Sequence, residues 1–251
     1  VTKHVEVRPG ESVVYQRHVM SGGNGRTPIG HHAMLQVKDR LNLSFSPWTA
    51  ALTPPVPFEV PPEGRPLLPE GLTIDDITHA PKNGGGHVDL TVFPNAPGTE
   101  ALWMLVSDKR APFGWIAATC PAENWVWFAI RDIPSLPQTV VWMSDGGRDY
   151  APWNGRHRGV IGLEDICGYF HLGERASLAD NPVAASGSPT AVTLTPGGRV
   201  TISYIIGLSA VPDGFDIVED IVAAPGGVLL QGSGGREVLA PLDLDFIRSA
   251  G

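Results

Sequence analysis

The sequence predicts an all-β protein made of large antiparallel sheets, with at most one or two short helices. Short apolar segments recur along the chain and are separated by Pro, Gly, Asn or Asp at short, irregular intervals, which is typical of antiparallel β structure. Turn-forming residues are abundant and show no collagen-like period, with 30 glycines and 24 prolines among 251 residues. Because 42% of the chain is hydrophobic and β-sandwiches of ~200–250 residues often form one domain, we expect residues 1–251 to form a single domain.

The first strands are predicted from alternating apolar and polar residues. This alternation lies on both sides of Pro9 and Gly10 within residues 5–20, which indicates a strand, a turn and a second strand. Residues 41–45 repeat the period of two. Residues 54–69 are proline-dense and suit neither a central strand nor a helix interior, so they predict a long surface loop packed on the sheet.

The rest of the chain predicts further strands and one helix. Strands are expected at residues 88–93, 101–107, 114–119, 125–130, 139–144, 160–163, 191–194, 200–208, 228–231 and 237–239. A helix is expected over residues 213–224, because its apolar side chains would share one face and Gly226 would follow as a cap. These apolar side chains are Phe215, Val218, Ile221 and Val222.

Charge and cysteine usage restrict the partners and the location. The formal net charge is −8, and no cluster of Lys or Arg is available to neutralise the phosphates of a nucleic acid. Cys120 and Cys167 lie far apart, which predicts free, buried thiols and fits a reducing cytoplasm. The sequence has no apolar run of the ~20 residues that a membrane span needs, and no signal-peptide pattern. We therefore expect a soluble, cytoplasmic protein that binds neither nucleic acid nor membrane.

Two segments carry the residues best suited to acid–base chemistry. The apolar run 160–163 is followed by the adjacent carboxylates Glu164 and Asp165, and His31 and His32 enter the apolar segment IGHHAML. Because side chains alternate along a strand, only one member of each pair can face a given pocket. A carboxylate in a partly dry cleft acquires a raised pKa and suits a general base. One carboxylate and one imidazole that converge on a cleft would form an acid–base pair.

A metal site is a weaker interpretation of the same residues. The available side chains include types that bind zinc or iron, but their spacing matches no compact ligand motif. These side chains are His31, His32, His79, His87 and Glu164. A cupin barrel would have two histidines one residue apart and a glutamate a few positions later, and the sequence lacks this pattern. We therefore predict no metal.

Two motifs together resemble a known family. GRTPIGHHAML, followed after a long β-rich interval by RHRGVIGLED, resembles the galactose mutarotase-like superfamily, which includes the aldose 1-epimerases. The resemblance implies a large antiparallel supersandwich with a sugar cleft on its concave face. It also implies that His32 donates a proton to the ring oxygen of a sugar and that Glu164 accepts the proton of the anomeric hydroxyl, with no cofactor. Further contacts to the sugar are expected from His31, Arg26, Asp165, Arg158 and the aromatic Trp153.

Three functions remain open on this basis. They are aldose 1-epimerase activity, a non-catalytic carbohydrate-binding or regulatory role, and a metal-dependent isomerase or dioxygenase activity of the cupin type. Active members of the superfamily usually carry another histidine and an arginine in N-terminal strands, and these have no counterpart here, so such strands either precede the present residues or are lacking. The expected partner is a small carbohydrate, and the sequence leaves open which sugar it is, whether it is phosphorylated, and the oligomeric state.

Overall fold

Two large antiparallel sheets face each other in the computed structural model, which describes residues 1–248 of the chain. The seven-stranded sheet contains, in spatial order, β1 (Thr2–Glu6), β2 (Val13–Ser21), β16 (Arg199–Ala210), β12 (Trp125–Arg131), β11 (Gly114–Cys120), β5 (Leu41–Phe45) and β9 (Val92–Phe93). The five-stranded sheet contains, in spatial order, β4 (Ile29–Gln36), β14 (Val160–Cys167), β13 (Gln138–Ser144), β10 (Glu100–Ser107) and β6 (Trp48–Leu52).

Smaller elements cover these two sheets. A three-stranded sheet is formed by β17 (Val218–Ala224), β18 (Gly227–Gly232) and β19 (Arg236–Pro241). Two short pairs join β3 (Gly25–Thr27) to β15 (Val192–Leu194) and β7 (Ala80–Pro81) to β8 (His87–Val88). The helical segments are α1 (Gly173–Leu178), α2 (Pro182–Ala185) and the 3-10 turns Ser233–Gly235 and Leu244–Ile247. Among residues 1–248, no helix is long and apolar enough to cross a membrane.

Three hydrophobic clusters hold the layers together. The largest lies between the two large sheets and includes the buried Leu43 and Trp103. A second cluster, around Phe128 and Phe215, joins the seven-stranded sheet to the three-stranded sheet. The third lies on the other face of the five-stranded sheet, where Met104 packs with aromatic residues of the segment after β14. We call this face, which points away from the seven-stranded sheet, the site face.

The prediction of an all-β sandwich with few short helices is confirmed. The alternating residues 5–20 form part of the antiparallel pair β1 and β2, and most of the other predicted strands match observed strands closely. The segment 88–93 is the exception, since it contributes to two very short strands, β8 and β9. The proline-dense residues 54–69 form a loop, which is tied to the five-stranded sheet through an isolated bridge to Glu100.

The helix predicted over residues 213–224 is wrong, because this segment ends in strand β17. A β-bulge between Val218 and Asp220 shifts the pairing with β18 by one residue. The bulge turns both Val218 and Ile221 towards the core, which produces the spacing of three that resembled a helix. Gly226, at a φ of +80°, lies in the turn between β17 and β18 instead of capping a helix.

Strand β14 is longer than the sequence suggested. The apolar run 160–163 was expected to end at the two carboxylates, but the strand continues to Cys167. Its residues pair with β13 on one side and with β4 on the other, so Glu164 and Asp165 lie within a sheet and not at its end. Their side chains therefore have fixed and opposite directions.

Candidate active site

His32 and Glu164 lie side by side on the site face. In the antiparallel pairing of β4 with β14, His32 lies opposite Glu164 and His31 lies opposite Asp165. The Nε2 atom of His32 is 3.2 Å from Oε1 of Glu164. Because side chains alternate along each strand, this register places one histidine–carboxylate pair on each face of the sheet.

Burial sets the protonation of the His32–Glu164 pair. The Glu164 side chain is 16% exposed, and burial raises its pKa to about 7. The His32 side chain is 51% exposed, and burial lowers its pKa below the ordinary value. An ion pair would favour the charged form of each group, but the directions of these shifts indicate that desolvation dominates. Burial thus reverses the usual order of the two pKa values, so that a single proton on the pair near neutral pH resides mainly on Glu164 and can pass to His32 across the contact.

Gly162 leaves the space that this pair occupies. It lies two residues before Glu164 on β14 and thus on the same face. A Cβ atom at Gly162 would lie 3.0 Å from Oε1 of Glu164, 3.2 Å from Cε1 of His32 and 3.3 Å from the sulfur of Met34. Any side chain at this position would therefore displace the imidazole or the carboxylate.

Trp142 forms a wall next to the pair. Its ring is perpendicular to that of His32, with 6.3 Å between the ring centroids. The indole N–H donates a hydrogen bond of 2.9 Å to the buried Glu100, and the indole ring stacks on His157 at 5.2 Å. The Ser144 hydroxyl lies 2.9 Å from Glu100 Oε1 and 2.7 Å from Nδ1 of His157. These bonds fix the orientation of both rings.

Arg148 is a candidate binding residue that the sequence analysis missed. Its guanidinium lies over the rings of Phe58, Trp142 and Trp153, at 5.2, 4.7 and 5.1 Å from the ring centroids. Its Nε donates a hydrogen bond of 2.5 Å to Glu59 in the proline-dense loop. Within residues 1–248 its two Nη atoms make no hydrogen bond, so they are available to a ligand. No local motif distinguishes Arg148, because an arginine in a loop is ordinarily solvated.

The fold of this chain is similar to that of a solved structure. A proposed aldose 1-epimerase from Escherichia coli K12 aligns with a TM-score of 0.50 at 11% identity, and the alignment covers 83% of this chain and 60% of that protein. The chain has the galactose mutarotase-like fold.

Two further solved structures are similar to this chain. A protein from Synechocystis sp. PCC 6803 aligns with a TM-score of 0.49 and 13% identity, over 83% of this chain and 54% of that protein. The galactose mutarotase related enzyme from Lactobacillus acidophilus aligns with a TM-score of 0.47 and 10% identity, over 84% of this chain and 61% of that protein. The chain thus spans less than two thirds of the length of each of these three proteins. No protein-family model and no curated protein sequence matches the chain.

Within the mutarotase-like fold, Trp153 is the predicted sugar contact that lies beside the site-face aromatic residues. Its ring centroid is 5.4 Å from that of His157. Arg158 is exposed and donates a hydrogen bond of 2.9 Å to the carbonyl of Gly155. Arg26 is exposed on the short strand β3. The structure does not bring either arginine to the histidine–carboxylate pair.

The sequence-based assignment of Asp165 and His31 to the same sugar site is corrected by the strand register. Asp165 is fully buried between the sheets, where it accepts hydrogen bonds from Thr139 at 2.8 Å and Tyr204 at 2.9 Å. Its Oδ1 also lies 2.9 Å from Nη1 of the buried Arg131. His31 stacks on the Tyr204 ring at 4.1 Å. Alternation along β14 and β4 directs both side chains away from the site face.

The side chains considered for a metal site are not brought together. Within residues 1–248, no group of three or more His, Cys, Asp or Glu side chains could hold a metal ion. His87 on β8 stacks at 3.8 Å on His79, which directly precedes β7, and the pair β7 and β8 belongs to neither of the large sheets. The cupin-type hypothesis therefore gains no support from the geometry of this part of the chain.

Proposed function

We propose that the site face is the active site of an aldose 1-epimerase-like enzyme, which interconverts the anomers of a sugar. The contact of 3.2 Å between His32 and Glu164 carries the proposal, together with the burial that brings the pKa of Glu164 to about 7. A carboxyl group with a pKa near 7 can both accept and release a proton near neutral pH, as proton exchange with a sugar hydroxyl requires. The mutarotase-like fold of the chain supports the same chemistry.

The proposed reaction uses the single proton that the pair shares. Glu164 in its ionised form accepts the proton of the anomeric hydroxyl, and protonated His32 donates its proton to the ring oxygen while the bond between that oxygen and C1 breaks. The product is the open-chain aldehyde. After rotation about the C1–C2 bond, the reverse transfers close the ring as the other anomer. The pair begins and ends with one proton, so the reaction is balanced without an oxidant or a reductant.

The surrounding side chains are suited to holding a sugar. Trp142 and Trp153 present aromatic surface on which the apolar C–H face of a sugar ring can pack. The Nη atoms of Arg148 can donate hydrogen bonds to sugar hydroxyls. We therefore propose a small carbohydrate as the ligand. We also propose a cytoplasmic location, which is supported by the two free and buried cysteines.

A carbohydrate-binding role without turnover is the second candidate. It is favoured by the direct contact between His32 and Glu164, because a sugar must separate these side chains before both can act on it. A protein in which the pair never separates would bind sugars through the aromatic residues and Arg148 alone. The two candidates differ in whether Glu164 is needed for exchange between anomers.

The deciding experiment is exchange NMR of the two anomers of a panel of aldoses and their 6-phosphates. We expect exchange faster than the spontaneous rate for at least one sugar, and a loss of about 10²–10⁴-fold in the Glu164→Gln variant, the range typical of a missing general base. Glu219→Gln is the matched control, because Glu219 is an exposed glutamate on β17. It should retain the wild-type rate.

Two outcomes would count against the enzyme. Equal exchange rates in the Glu164→Gln variant and the wild-type protein would show that Glu164 is not the base. Saturable binding of a sugar to both proteins without accelerated exchange would instead establish the binding role.

A further inference from the structure

A second polar cleft lies between the two large sheets, away from Glu164. The cleft has a volume of about 290 Å³ and opens where β1, β2 and β16 of the seven-stranded sheet face β4 of the five-stranded sheet. The polar side chains that line it include Lys3, Gln16, His18, His31 and Tyr204. His32 also borders this cleft, but the cleft differs from the proposed active site in its main polar residues, because His31 and Glu164 are on opposite faces of the five-stranded sheet.

Strand register brings these side chains together. On the seven-stranded sheet, Lys3 lies opposite His18, and Gln16 lies opposite Tyr204. Side chains two residues apart on a strand share a face, so Gln16 and His18 both line the cleft. His31 enters from the facing sheet, stacks on Tyr204 at 4.1 Å and meets the His18 ring edge-on at 4.9 Å.

The lining offers several unused hydrogen-bond donors. Within residues 1–248, the side chains of Lys3, Gln16, His18 and His31 form no hydrogen bond and no ion pair. A lysine ammonium, an amide N–H₂ and a neutral imidazole can each donate. Tyr204 is different, since its hydroxyl already donates to Asp165. Convergent donors without protein partners indicate a place for an acceptor-rich ligand.

The charges around the cleft indicate an anion. Among the described residues 1–248, no Asp or Glu lines this cleft, although the chain as a whole carries a formal net charge of −8. Lys3 supplies a positive charge, and the nearby carboxylate of Asp165 is buried behind Tyr204 and lies 2.9 Å from Arg131. We propose that this cleft binds a small oxyanion, a phosphate or sulfate group, through Lys3, His18 and His31.

The titration of the two histidines is consistent with such a ligand. Burial lowers the pKa of His31 to about 4, with further contributions from His18 and Lys3, and burial and Lys3 lower the pKa of His18. A bound anion would favour the charged form of both rings, so binding should take up protons. The other titratable groups that line the cleft are His32 on β4 and Tyr204 on β16. The affinity for a permanent dianion should therefore increase as the pH falls.

The test is a titration of the full chain with sodium sulfate, followed by NMR of the histidine rings, with sodium chloride at equal ionic strength as the reference. We expect saturable shifts at His18 and His31 and none at the exposed pair His79 and His87. The affinity should be higher at about pH 6 than at about pH 8, because sulfate remains a dianion over this range while the rings take up protons.

Substitutions of residues that line the cleft test whether sulfate binds there. Lys3→Gln and His31→Gln should each weaken sulfate binding by about tenfold, as expected for the loss of one hydrogen bond to a charged group. Lys82→Gln is the matched control, because Lys82 is exposed in the turn between β7 and β8 and does not line the cleft. Lys3 is exposed on an edge strand, so its replacement should leave the fold intact even if the His31 variant is unstable.

The source of the anion is distinguished by a second ligand. Binding of glycerol 3-phosphate with shifts at the same two rings would indicate that the group is carried by a phosphate ester, and binding of sulfate alone would indicate a free ion. The proposal is overturned if chloride produces the same shifts as sulfate, if no shift saturates, or if Lys3→Gln binds sulfate as tightly as wild type. None of these readouts depends on exchange between sugar anomers, so failure here is distinct from failure of the proposed enzyme activity.

Discussion

At the scale of the residue, Glu164 is both the proposed base and a source of instability. Its pKa is raised to about 7 by burial, whereas a carboxyl group in the unfolded chain has its ordinary value of 4.5. Between these two values the folded state binds a proton that the unfolded state has already released. The free energy of unfolding must therefore fall as the pH rises through this window.

Replacement of Glu164 by Gln should stabilise the protein at alkaline pH. The amide cannot ionise, so the variant avoids the cost of the buried charge, which is about 3 kcal/mol at ~1.4 kcal/mol for each pKa unit. Urea unfolding at about pH 8 and about pH 4.5 measures this effect. The gain should be present at the higher pH and nearly absent at the lower one. A stability difference that does not depend on pH would contradict the assignment of the raised pKa to Glu164.

The pH dependence of anomer exchange follows from the same pair. The proposed reaction needs one proton on the pair, which is lost as the pH rises through about 7, the pKa of Glu164. A second proton is taken up as the pH falls below the lowered pKa of His32. We expect a bell-shaped rate profile with its maximum on the acid side of neutrality. A rate that continues to increase with pH above 8 would argue against this protonation state.

At the scale of the element, strand β14 carries both the proposed base, Glu164, and the glycine that leaves space for it. Gly162 lies on the same face as Glu164, and a Cβ at this position would contact the ends of flexible side chains, not the backbone. Gly207 on β16 differs, since a Cβ there would lie 2.5 Å from Cζ of the buried Phe128. Substitutions at these two glycines therefore distinguish an effect on the candidate site from an effect on the hydrophobic core.

Substitution by alanine should affect the rate of anomer exchange at Gly162 and the stability of the fold at Gly207. Gly162→Ala should reduce anomer exchange by displacing His32 or Glu164, with little change in the urea midpoint. Gly207→Ala should lower the free energy of unfolding by about 1–3 kcal/mol through overpacking, and the folded protein should retain its rate. Rates and unfolding curves of both variants provide the comparison. Equal loss of rate in the two variants would show that Gly162 has no specific role at the site.

At the scale of the whole molecule, a buried ion pair connects the two large sheets. Asp165 lies on β14 of the five-stranded sheet, and its partners Arg131 and Tyr204 lie on β12 and β16 of the seven-stranded sheet. Burial raises the pKa of the Asp165 carboxyl, whereas Arg131 and two hydroxyl donors favour its ionised form. The arrangement between Arg131 Nη1 and Asp165 is an ion pair at 2.9 Å and not a well-aligned hydrogen bond.

Loss of this pair should destabilise the entire fold. Asp165→Asn leaves the Arg131 guanidinium buried without its counter-charge, which typically costs about 3–5 kcal/mol. The urea midpoint measures the loss. Asp108→Asn is the control, because its partner Arg110 is exposed, and little change is expected there. A similar small effect at Asp165 would mean that the buried pair does not link the sheets energetically.

The sequence by itself determined the fold class and pointed to the two segments that carry the proposed catalytic residues. Strand segments were recognisable because alternation and turn residues are local properties of the chain, and the motifs containing His32 and Glu164 pointed to one family. The prediction of a helix over residues 213–224 was wrong because a β-bulge changes the spacing of the buried residues in this strand. The residue types alone do not indicate where a bulge occurs.

Only the tertiary structure decided which member of each adjacent pair faces the site. His31 and His32, like Glu164 and Asp165, are chemically equivalent in sequence, and the register of β4 with β14 assigns one of each to the site face and the other to the space between the sheets. The raised pKa of Glu164, the ring cluster around Arg148 and the inter-sheet cleft at Lys3 also depend on residues far apart in the chain. Burial and distance arise from packing between strands, so a single sequence cannot specify them.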